Sequence, residues 1–278
     1  METFIVLGVV YFCFMIVVSI IVRVPAPGWA PAGYVAPETS KKLITRNDVF
    51  VYAAIKPPQF WLIWWVLCLN VTAGIGVLGQ ASAMSQEMFP GKITPIAAAG
   101  FVGLMSLFNM GGRFSWASLS DYIGRRNTYF VFMCLGFALY ITVPYAGGSG
   151  NVVLFVCCFL VIVSMYGGGF STVPAYLRDL FGTRYVGAIH GILLTAWSAA
   201  GVAGPGLVNY IREYNVTHGV PKAQAYNNTM YIMAGLLVIG FICNLLVKAV
   251  ASKYWMVGDK PGSVANGALA TAPDSAKA

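Results

Sequence analysis

Residues 151–173 read NVVLFVCCFLVIVSMYGGGFSTV, a stretch without a single Asp, Glu, Lys or Arg. An apolar run of about 20 residues is long enough to cross the hydrocarbon core of a bilayer as an α-helix. Similar runs recur along the chain and predict spans at 3–22, 58–82, 94–116, 128–146, 151–173, 187–211 and 228–248. The predicted fold class is therefore an all-α membrane protein with about seven transmembrane helices.

The composition excludes an ordinary soluble domain. Apolar residues make up 58% of the 278 residues and charged residues only 9%, against about 25% charged residues in a soluble domain. The net charge is +8, but the basic residues lie in short loops rather than in one patch, so we expect no nucleic-acid partner. All six cysteines lie inside apolar runs, which indicates packing rather than disulfides or a metal site, and we expect no cofactor.

The loop charges predict the orientation of the chain. Basic residues concentrate in the connections 23–57, 117–127 and 174–186, and the positive-inside rule places such loops in the cytoplasm. The loops 83–93 and 147–150 hold only Lys92 between them, which is typical of the outer side. We therefore predict a plasma (inner) membrane protein with its N-terminus outside and its C-terminus in the cytoplasm.

The chain divides into four predicted parts. The first run holds Glu2 and no basic residue before its apolar core, which favours a span, although a secretory signal peptide is the alternative. A Pro- and Gly-rich segment follows, with a short surface helix predicted near 47–55. The parts are a transmembrane helix at 1–23, a cytoplasmic linker at 24–57, a six-helix transmembrane domain at 58–250 and a disordered cytoplasmic tail at 251–278.

A polar motif separates the third and fourth spans and reads Ala117-Ser-Leu119-Ser-Asp121-Tyr-Ile-Gly124-Arg125-Arg126. Gly124 permits a tight turn, and the two arginines can pair with acids or with the negative end of a neighbouring helix. The alternative is that both arginines are ordinary anchors of a cytoplasmic loop. The stretch resembles the G-x-x-x-D-x-x-G-R-[RK] loop motif of the major facilitator superfamily, with Ala117 in place of the first glycine.

More of the chain resembles the oxalate/formate antiporter family of that superfamily. The matching stretches are Pro27-Gly-Trp29-Ala-Pro31, Pro58-Gln-Phe60-Trp61, Tyr166 through Gly182, and Gly191 through Pro205. The resemblance implies that the first span corresponds to the sixth helix of a twelve-helix transporter and that the last six form its carboxy-terminal half. It also implies that an amino-terminal half is missing from this chain.

Arg113 is the foremost candidate for binding a substrate, because a charge inside a membrane helix is costly and is usually functional. It lies on the cytoplasmic side of the third span, and Asn109 and Trp116 share its helical face. A guanidinium group can bind a carboxylate in bidentate fashion, and the resemblance implies that this arginine binds an anionic substrate. The alternatives are snorkelling to the interface or a structural ion pair with another helix.

Trp197, Tyr166 and His190 complete the candidate substrate-binding residues. The antiporters for the dianion oxalate carry a lysine where this chain has Trp197, so a second carboxylate would stay unpaired, and a monocarboxylate is favoured. Tyr166 and Phe170 flank Gly167, Gly168 and Gly169. Either the glycines loosen the helix and the two rings stack on a flat anion, or the aromatics and glycines simply pack helices. His190 lies near a helix end and either carries a coupling proton or holds a structural hydrogen bond.

No pattern for catalysis is present. The sequence has no nucleophile elbow, no phosphate-binding loop and no HExxH, so we do not expect an enzyme. The resemblance implies a secondary transporter, or half of one, that moves small organic anions such as formate, lactate or oxalate through the lipid bilayer by antiport or proton-coupled alternating access. The alternative is a non-transporting half that needs or regulates a partner membrane chain.

Overall fold

The structure is a computed structural model that describes residues 2–23, 44–45 and 47–256. The chain divides into two units, Met1–Ser40 and Lys41–Ala278. The first unit contains helix α1, which covers Glu2–Ile21. The helices of the second unit are α2 (Val51–Ala54), α3 (Pro58–Met88), α4 (Pro95–Ile123), α5 (Arg125–Gly148), α6 (Val152–Phe181), α7 (Val186–Leu193), α8 (Thr195–Thr217) and α9 (Asn227–Leu246). Most of the predicted linker and the tail from residue 257 onward lie outside the described residues.

Seven segments of the described chain are helical, long and apolar enough to cross a membrane. Each overlaps most of one predicted span, so the all-α membrane fold is confirmed. The helices run further than predicted, since α3 ends at Met88, α4 at Ile123 and α6 at Phe181. The additional turns contain polar and charged residues, which is why apolar content alone placed the ends of these helices too early.

Local signals fix where two of the helices begin. Pro95 occupies the first turn of α4, where its missing N–H costs no hydrogen bond. The hydroxyl of Thr94 accepts from the backbone N–H of Ala97 at 3.2 Å, and the amide oxygen of Asn151 accepts from that of Leu154 at 3.0 Å. These side chains satisfy donors that have no partner within the first turn of a helix.

Helix α3 occupies the centre of the second unit. It packs chiefly against α8 and α9 and also contacts α4 and α6. Almost every residue between Val66 and Val77 is buried. By contrast, α4 has only 22% of its most apolar stretch buried, and the segment Val186–Thr217 has the same fraction buried. These two segments therefore leave an apolar face of the unit open.

The sixth predicted span is present, but it is interrupted. Helix α7 ends at Leu193 and α8 begins at Thr195, with Leu194 between them. The indole N–H of Trp64 on α3 donates to the hydroxyl of Thr195 at 2.9 Å, and that hydroxyl donates to the carbonyl of Ile192 at 2.9 Å. The break is therefore held by a hydrogen bond from the central helix.

The two ends of the six-helix unit meet in a feature that we call the clasp, formed by residues 47–50 and 251–256. Val49 pairs with Trp255 in an isolated antiparallel bridge, and the N–H of Met256 donates to the carbonyl of Asp48 at 3.0 Å. Residues 251–256 are thus ordered by backbone pairing, and the predicted start of the disordered tail at residue 251 was too early. Helix α2 lies within the short helix predicted near 47–55.

Asp48 ties the clasp to the turn between α6 and α7. Its carboxylate accepts the backbone N–H groups of Thr183 and Arg184 at 2.8 and 3.0 Å. Gly182 just before them has φ +87°, and a Cβ there would lie 2.3 Å from the Asp48 carboxylate. Only glycine fits at this turn, because both its conformation and its surroundings exclude a side chain.

Candidate functional site

Arg113 lies deeper in its helix than the predicted span implied. Helix α4 continues to Ile123, ten residues beyond Arg113, which corresponds to about 15 Å at the rise of an α-helix. The side chain is on the exposed face of α4. The guanidinium group therefore lies more than two helical turns before the end of α4, and not in its last turn.

Uncharged groups surround Arg113. Its Nε donates to the amide oxygen of Asn109 at 3.3 Å, and its guanidinium carbon lies 5.4 Å from the centre of the Phe170 ring. The hydroxyl of Ser171 donates to the backbone carbonyl of Arg113 at 3.0 Å. Within the part of the chain that the structure describes, no carboxylate lies within ion-pair distance of Arg113. The expected pairing of Arg113 with Asn109 on one helical face is present, whereas the structural ion pair is not seen.

Trp116 serves helix packing and not the surroundings of Arg113. Its indole N–H donates to the hydroxyl of Ser164 on α6 at 3.2 Å. Its side chain lies so close to Gly168 that a Cβ on that glycine would be 2.5 Å from the Cβ of Trp116. The shared helical face that the spacing predicts does not bring Trp116 to Arg113.

Tyr166, Phe170 and Trp197 meet across two helices. The indole N–H of Trp197 on α8 donates to the hydroxyl oxygen of Tyr166 on α6 at 3.3 Å. The rings of Trp197 and Phe170 pack edge to face with their centres 5.2 Å apart, a favourable geometry for aromatic pairs. Tyr166 is buried, while Trp197 is 39% exposed. Since Phe170 also contacts Arg113, the aromatic group extends from the guanidinium to Tyr166.

An open cleft lies beside Arg113. It has a volume of ≈ 350 Å³, at the small end of the range typical of ligand sites. One wall comes from Leu78 of α3 and the rest from α4, and the lining residues are Leu78, Ser106, Asn109, Met110 and Arg113. The cleft thus offers one cation, one amide and one hydroxyl in apolar surroundings, which suits a small anion with an apolar part.

His190 stands apart from this group. It lies on α7, before the break at Leu194. Its Nε2 atom is buried and has no hydrogen-bond partner among the described residues. The structure therefore brings together Asn109, Arg113, Tyr166 and Trp197 but not His190, and the role of His190 stays a prediction.

The glycines of α6 are packing positions. Helix α6 is continuous from Val152 to Phe181, so the glycines do not loosen it. A Cβ on Gly167 would lie 2.3 Å from the backbone oxygen of Asn109, and one on Gly112 of α4 would lie 2.1 Å from that of Ser164. The missing side chains let α4 and α6 approach with their backbones in contact. Of the two interpretations of this glycine run, the geometry favours packing.

The motif between α4 and α5 forms a turn of one residue. Gly124 has φ +89° and separates the two helices by itself. Arg125 forms an ion pair with Asp121 and donates to the hydroxyl of Ser120 at 2.6 Å. One arginine of the motif therefore pairs with an acid, as the sequence suggested.

The other arginine of the motif caps a neighbouring helix. Arg126 donates to the carbonyls of Asn244 and Leu245 at 3.3 and 2.6 Å, at the C-terminus of α9, where a positive charge complements the helix dipole. The amide of Asn244 donates back to the carbonyl of Arg126 at 3.0 Å, and the hydroxyl of Tyr176 donates to its amide oxygen at 3.1 Å. The sequence did not identify Asn244 or Tyr176, because no local pattern links them to the motif.

A second ion pair was also missed. The guanidinium of Arg212 on α8 contacts both carboxylate oxygens of Glu87 on α3, with Nε 2.9 Å from Oε2, and it lies over the ring of Tyr226 at 5.8 Å. The predicted spans ended before both residues and placed them in loops. Only the additional helical turns bring them side by side, and this pair leaves Arg212 unavailable to an anion.

Parts of three known proteins are similar in sequence to this chain. The chain is 26% identical over 200 residues to the oxalate:formate antiporter of Oxalobacter formigenes, which covers 72% of this chain and 45% of that protein. It is 24% identical over 184 residues to apicoplast pyruvate carrier 1 of Toxoplasma gondii, covering 63% of this chain and 32% of the carrier. A similarity of 22% over 153 residues to the uncharacterized MFS-type transporter YhjX of Escherichia coli (strain K12) covers 54% and 36%.

The chain thus spans less than half the length of the curated relatives it matches. The family profile described as Major Facilitator Superfamily matches residues 2–205, which is well over half of the chain and includes α1, the glycine-packed α4 and α6, and the Arg125–Arg126 turn. With seven apolar helices and this match, the chain is an integral membrane protein that belongs to the Major Facilitator Superfamily of transporters.

Proposed function

We propose that this chain is a secondary transporter of small organic anions, or the carboxy-terminal half of one, and that Arg113 binds the substrate carboxylate. The observation that carries the proposal is an arginine inside a membrane helix, exposed to a cleft and without a carboxylate partner among the described residues. A cation in the membrane interior without a counter-charge is costly, and a carboxylate substrate would supply that charge. The names of two relatives, an oxalate:formate antiporter and a pyruvate carrier, support the same chemical class.

The surroundings of Arg113 favour a monocarboxylate. The Phe170 ring lies beside the Arg113 guanidinium, and the Trp197 indole packs on the far side of that ring. The antiporters for oxalate carry a lysine in place of Trp197. Arg212 is engaged by Glu87, so it offers no second positive charge. A second carboxylate would therefore be desolvated without a partner, at a cost of several kcal/mol. An apolar tail, as in lactate, packs against the aromatic rings instead.

Membership of the family supports one general mode of transport. We infer alternating access, in which helical halves rock about a central site. Exchange of one anion for another and cotransport with a proton are both compatible with one substrate-binding arginine. Counterflow at equal pH on both sides supports exchange, whereas uptake that requires an inward proton gradient supports proton coupling.

The open faces of α4 and α8 support a partner half. In this architecture the substrate site lies between two repeats or halves, and the chain spans less than half of its relatives. We propose that an amino-terminal half from the same cell covers the cleft, with the N-terminus of this chain outside and its C-terminus in the cytoplasm. If the chain only stabilises or regulates such a partner, the partner will transport without Arg113.

The test compares variants of Arg113 in liposomes that contain the chain together with its amino-terminal half. We expect Arg113→Ala to lower the affinity for lactate or formate in counterflow and Arg113→Lys not to restore it, because lysine lacks the planar, bidentate geometry of the guanidinium. The loss corresponds to one charge-assisted contact of about 1.5–3 kcal/mol, or about ten- to a hundredfold in affinity. Lys253→Ala, which removes an exposed cation outside the helices that are long enough to span a membrane, is the matched control. Normal transport by Arg113→Ala would refute the carboxylate-binding role.

A second variant tests the preference for one carboxylate. Trp197→Lys introduces a cation where the oxalate antiporters have one, so oxalate should compete more strongly against lactate in this variant than in the parent. An unchanged preference removes Trp197 from the site. Liposomes with the chain alone should show no uptake above protein-free liposomes, unless two copies of the chain assemble.

A further inference from the structure

Gly74 lies on the buried face of α3 directly behind Tyr166 of α6. A Cβ built on Gly74 would lie 2.6 Å from Cδ2 of Tyr166 and 3.0 Å from its Cβ and Cγ. Ordinary contacts between carbon atoms are about 3.5–4.0 Å. The Tyr166 ring therefore rests on the backbone of α3, and even a methyl group on Gly74 has no room unless the ring moves.

Tyr166 passes this constraint on to the candidate binding site. Its hydroxyl oxygen accepts from the indole N–H of Trp197 at 3.3 Å, close to the limit of a useful hydrogen bond. Trp197 packs edge to face on Phe170, and Phe170 lies against the guanidinium of Arg113. The contacts run from α3 to α6, from α6 to α8, and back through α6 to α4. A displacement of the Tyr166 ring thus reaches the indole first.

We propose that Gly74 is a positioning residue that sets the place of the Tyr166 ring and, through the Tyr166 hydroxyl, the orientation of the Trp197 indole, which packs on the Phe170 ring beside Arg113. The positional part stands on the contacts alone, and its effect on anion binding rests on the proposed function. Gly74 itself touches no substrate. Because Gly74 has no side chain, the Tyr166 ring can lie directly against the backbone of α3.

The test follows the Trp197 indole by ¹⁹F NMR in the purified chain labelled with 5-fluorotryptophan. The chain has seven tryptophans, and the Trp197→Phe variant assigns the signal of interest by its disappearance. We expect Gly74→Ala to shift the Trp197 signal. Gly79→Ala is the matched control, because it makes the same change in the same helix where no atom lies within 4 Å of the added Cβ, and it should leave the signal in place.

A double variant separates positioning from a general loss of structure. Tyr166→Ala removes the ring that meets the methyl group, so adding Gly74→Ala to it should produce no further shift of the Trp197 signal. Tyr166→Phe retains the ring and loses only the hydroxyl that contacts Trp197, so Gly74→Ala should shift the Trp197 signal less in that background than in the parent. A far-UV circular dichroism spectrum of each variant verifies that the helices are intact.

Binding supplies the second measurement. In the chain together with its amino-terminal half, Gly74→Ala should weaken lactate binding about tenfold, as overpacking of a tight contact by one methyl group implies, while Gly79→Ala should not. The inference is wrong if Gly74→Ala leaves the Trp197 signal unmoved, or if the shift persists after the Tyr166 ring is removed. If the signal moves as expected but the parent itself binds no carboxylate, the positional inference stands and the proposed function fails.

Discussion

Asn244 should be one of the most sensitive positions for the stability of the six-helix unit. Its side chain is fully buried and makes two hydrogen bonds, a donation to the carbonyl of Arg126 at 3.0 Å and an acceptance from the hydroxyl of Tyr176 at 3.1 Å. Asn244→Ala leaves the buried Tyr176 hydroxyl without this partner and removes the bond to the part-buried carbonyl of Arg126, which lies in the first turn of α5. A buried group left without its partner costs about 1–3 kcal/mol, so we expect a loss of about 1–3 kcal/mol in the free energy of unfolding.

The measurement is reversible unfolding in mixed micelles by sodium dodecyl sulfate, followed by circular dichroism. Asn209→Ala is the matched control, because it removes an exposed asparagine from α8 and should change stability by less than about 0.5 kcal/mol. Asn244→Leu fills the volume of the amide but still removes the hydrogen bonds to Tyr176 and to the Arg126 carbonyl, so it should be nearly as destabilising as alanine. Recovery of stability in Asn244→Leu would show that lost volume, and not lost hydrogen bonds, is the cause.

A double-mutant cycle with Tyr176→Phe isolates one of the two bonds. Interhelical hydrogen bonds in membrane proteins couple by about 0.6 kcal/mol on average and up to about 1.7 kcal/mol. We expect a coupling free energy within that range between Asn244→Ala and Tyr176→Phe. Strict additivity of the two changes, or an Asn244→Ala variant as stable as Asn209→Ala, would refute the reasoning.

Three further outcomes are expected. Gly112→Ala should lower the free energy of unfolding by about 1–3 kcal/mol, because the added methyl group meets the backbone of α6. Gly111→Ala is the control, since its methyl group meets no atom within 4 Å. Equal stability of the two variants in the same unfolding assay would contradict the packing of α4 on α6. Glu87→Gln should lower the free energy of unfolding by about 1–3 kcal/mol, because it weakens a charge-assisted pair. Exchanging the two residues, Glu87→Arg with Arg212→Glu, should restore part of that loss. A double variant that is less stable than both single variants would contradict the ion pair. In a chain without its native cysteines, Ser149→Cys should react with an impermeant thiol reagent in intact cells, because residue 149 lies in a loop with few basic residues that is predicted to face the outside. If that cysteine reacts only after the cells are opened, the predicted orientation is reversed.

The sequence was sufficient for features that depend on local spacing. The spans followed from apolar runs, and the contact of Arg113 with Asn109 followed from a separation of four residues along one helix. The turn at Gly124 and the pairing of Arg125 with Asp121 were also local. Such features need only the period of the helix, which the chain itself displays.

Contacts between helices could not be predicted in the same way. Glu87 and Arg212 are 125 residues apart, and Asn244 and Tyr176 are 68 residues apart, so their pairing depends on the vertical register of packed helices. The glycines of α6 gave a visible signal, but the same glycines suit a loosened helix or a tight contact. Only the positions of α4 and α3 decide between these, because they show what fills the space beside each glycine.

The clasp at the two ends of the six-helix unit has a consequence for the order of folding. The bridge from Val49 to Trp255 closes a loop that contains every helix from α3 to α9, and the entropy of closing a loop rises only by about 0.6 kcal/mol for each doubling of its length. Length therefore does not prevent the bridge, but Trp255 emerges from the ribosome only after α9. The clasp should therefore form only after the helices from α2 to α9 have been synthesised, and a chain shortened before residue 251 would still contain these helices yet leave Val49 without its bridge partner.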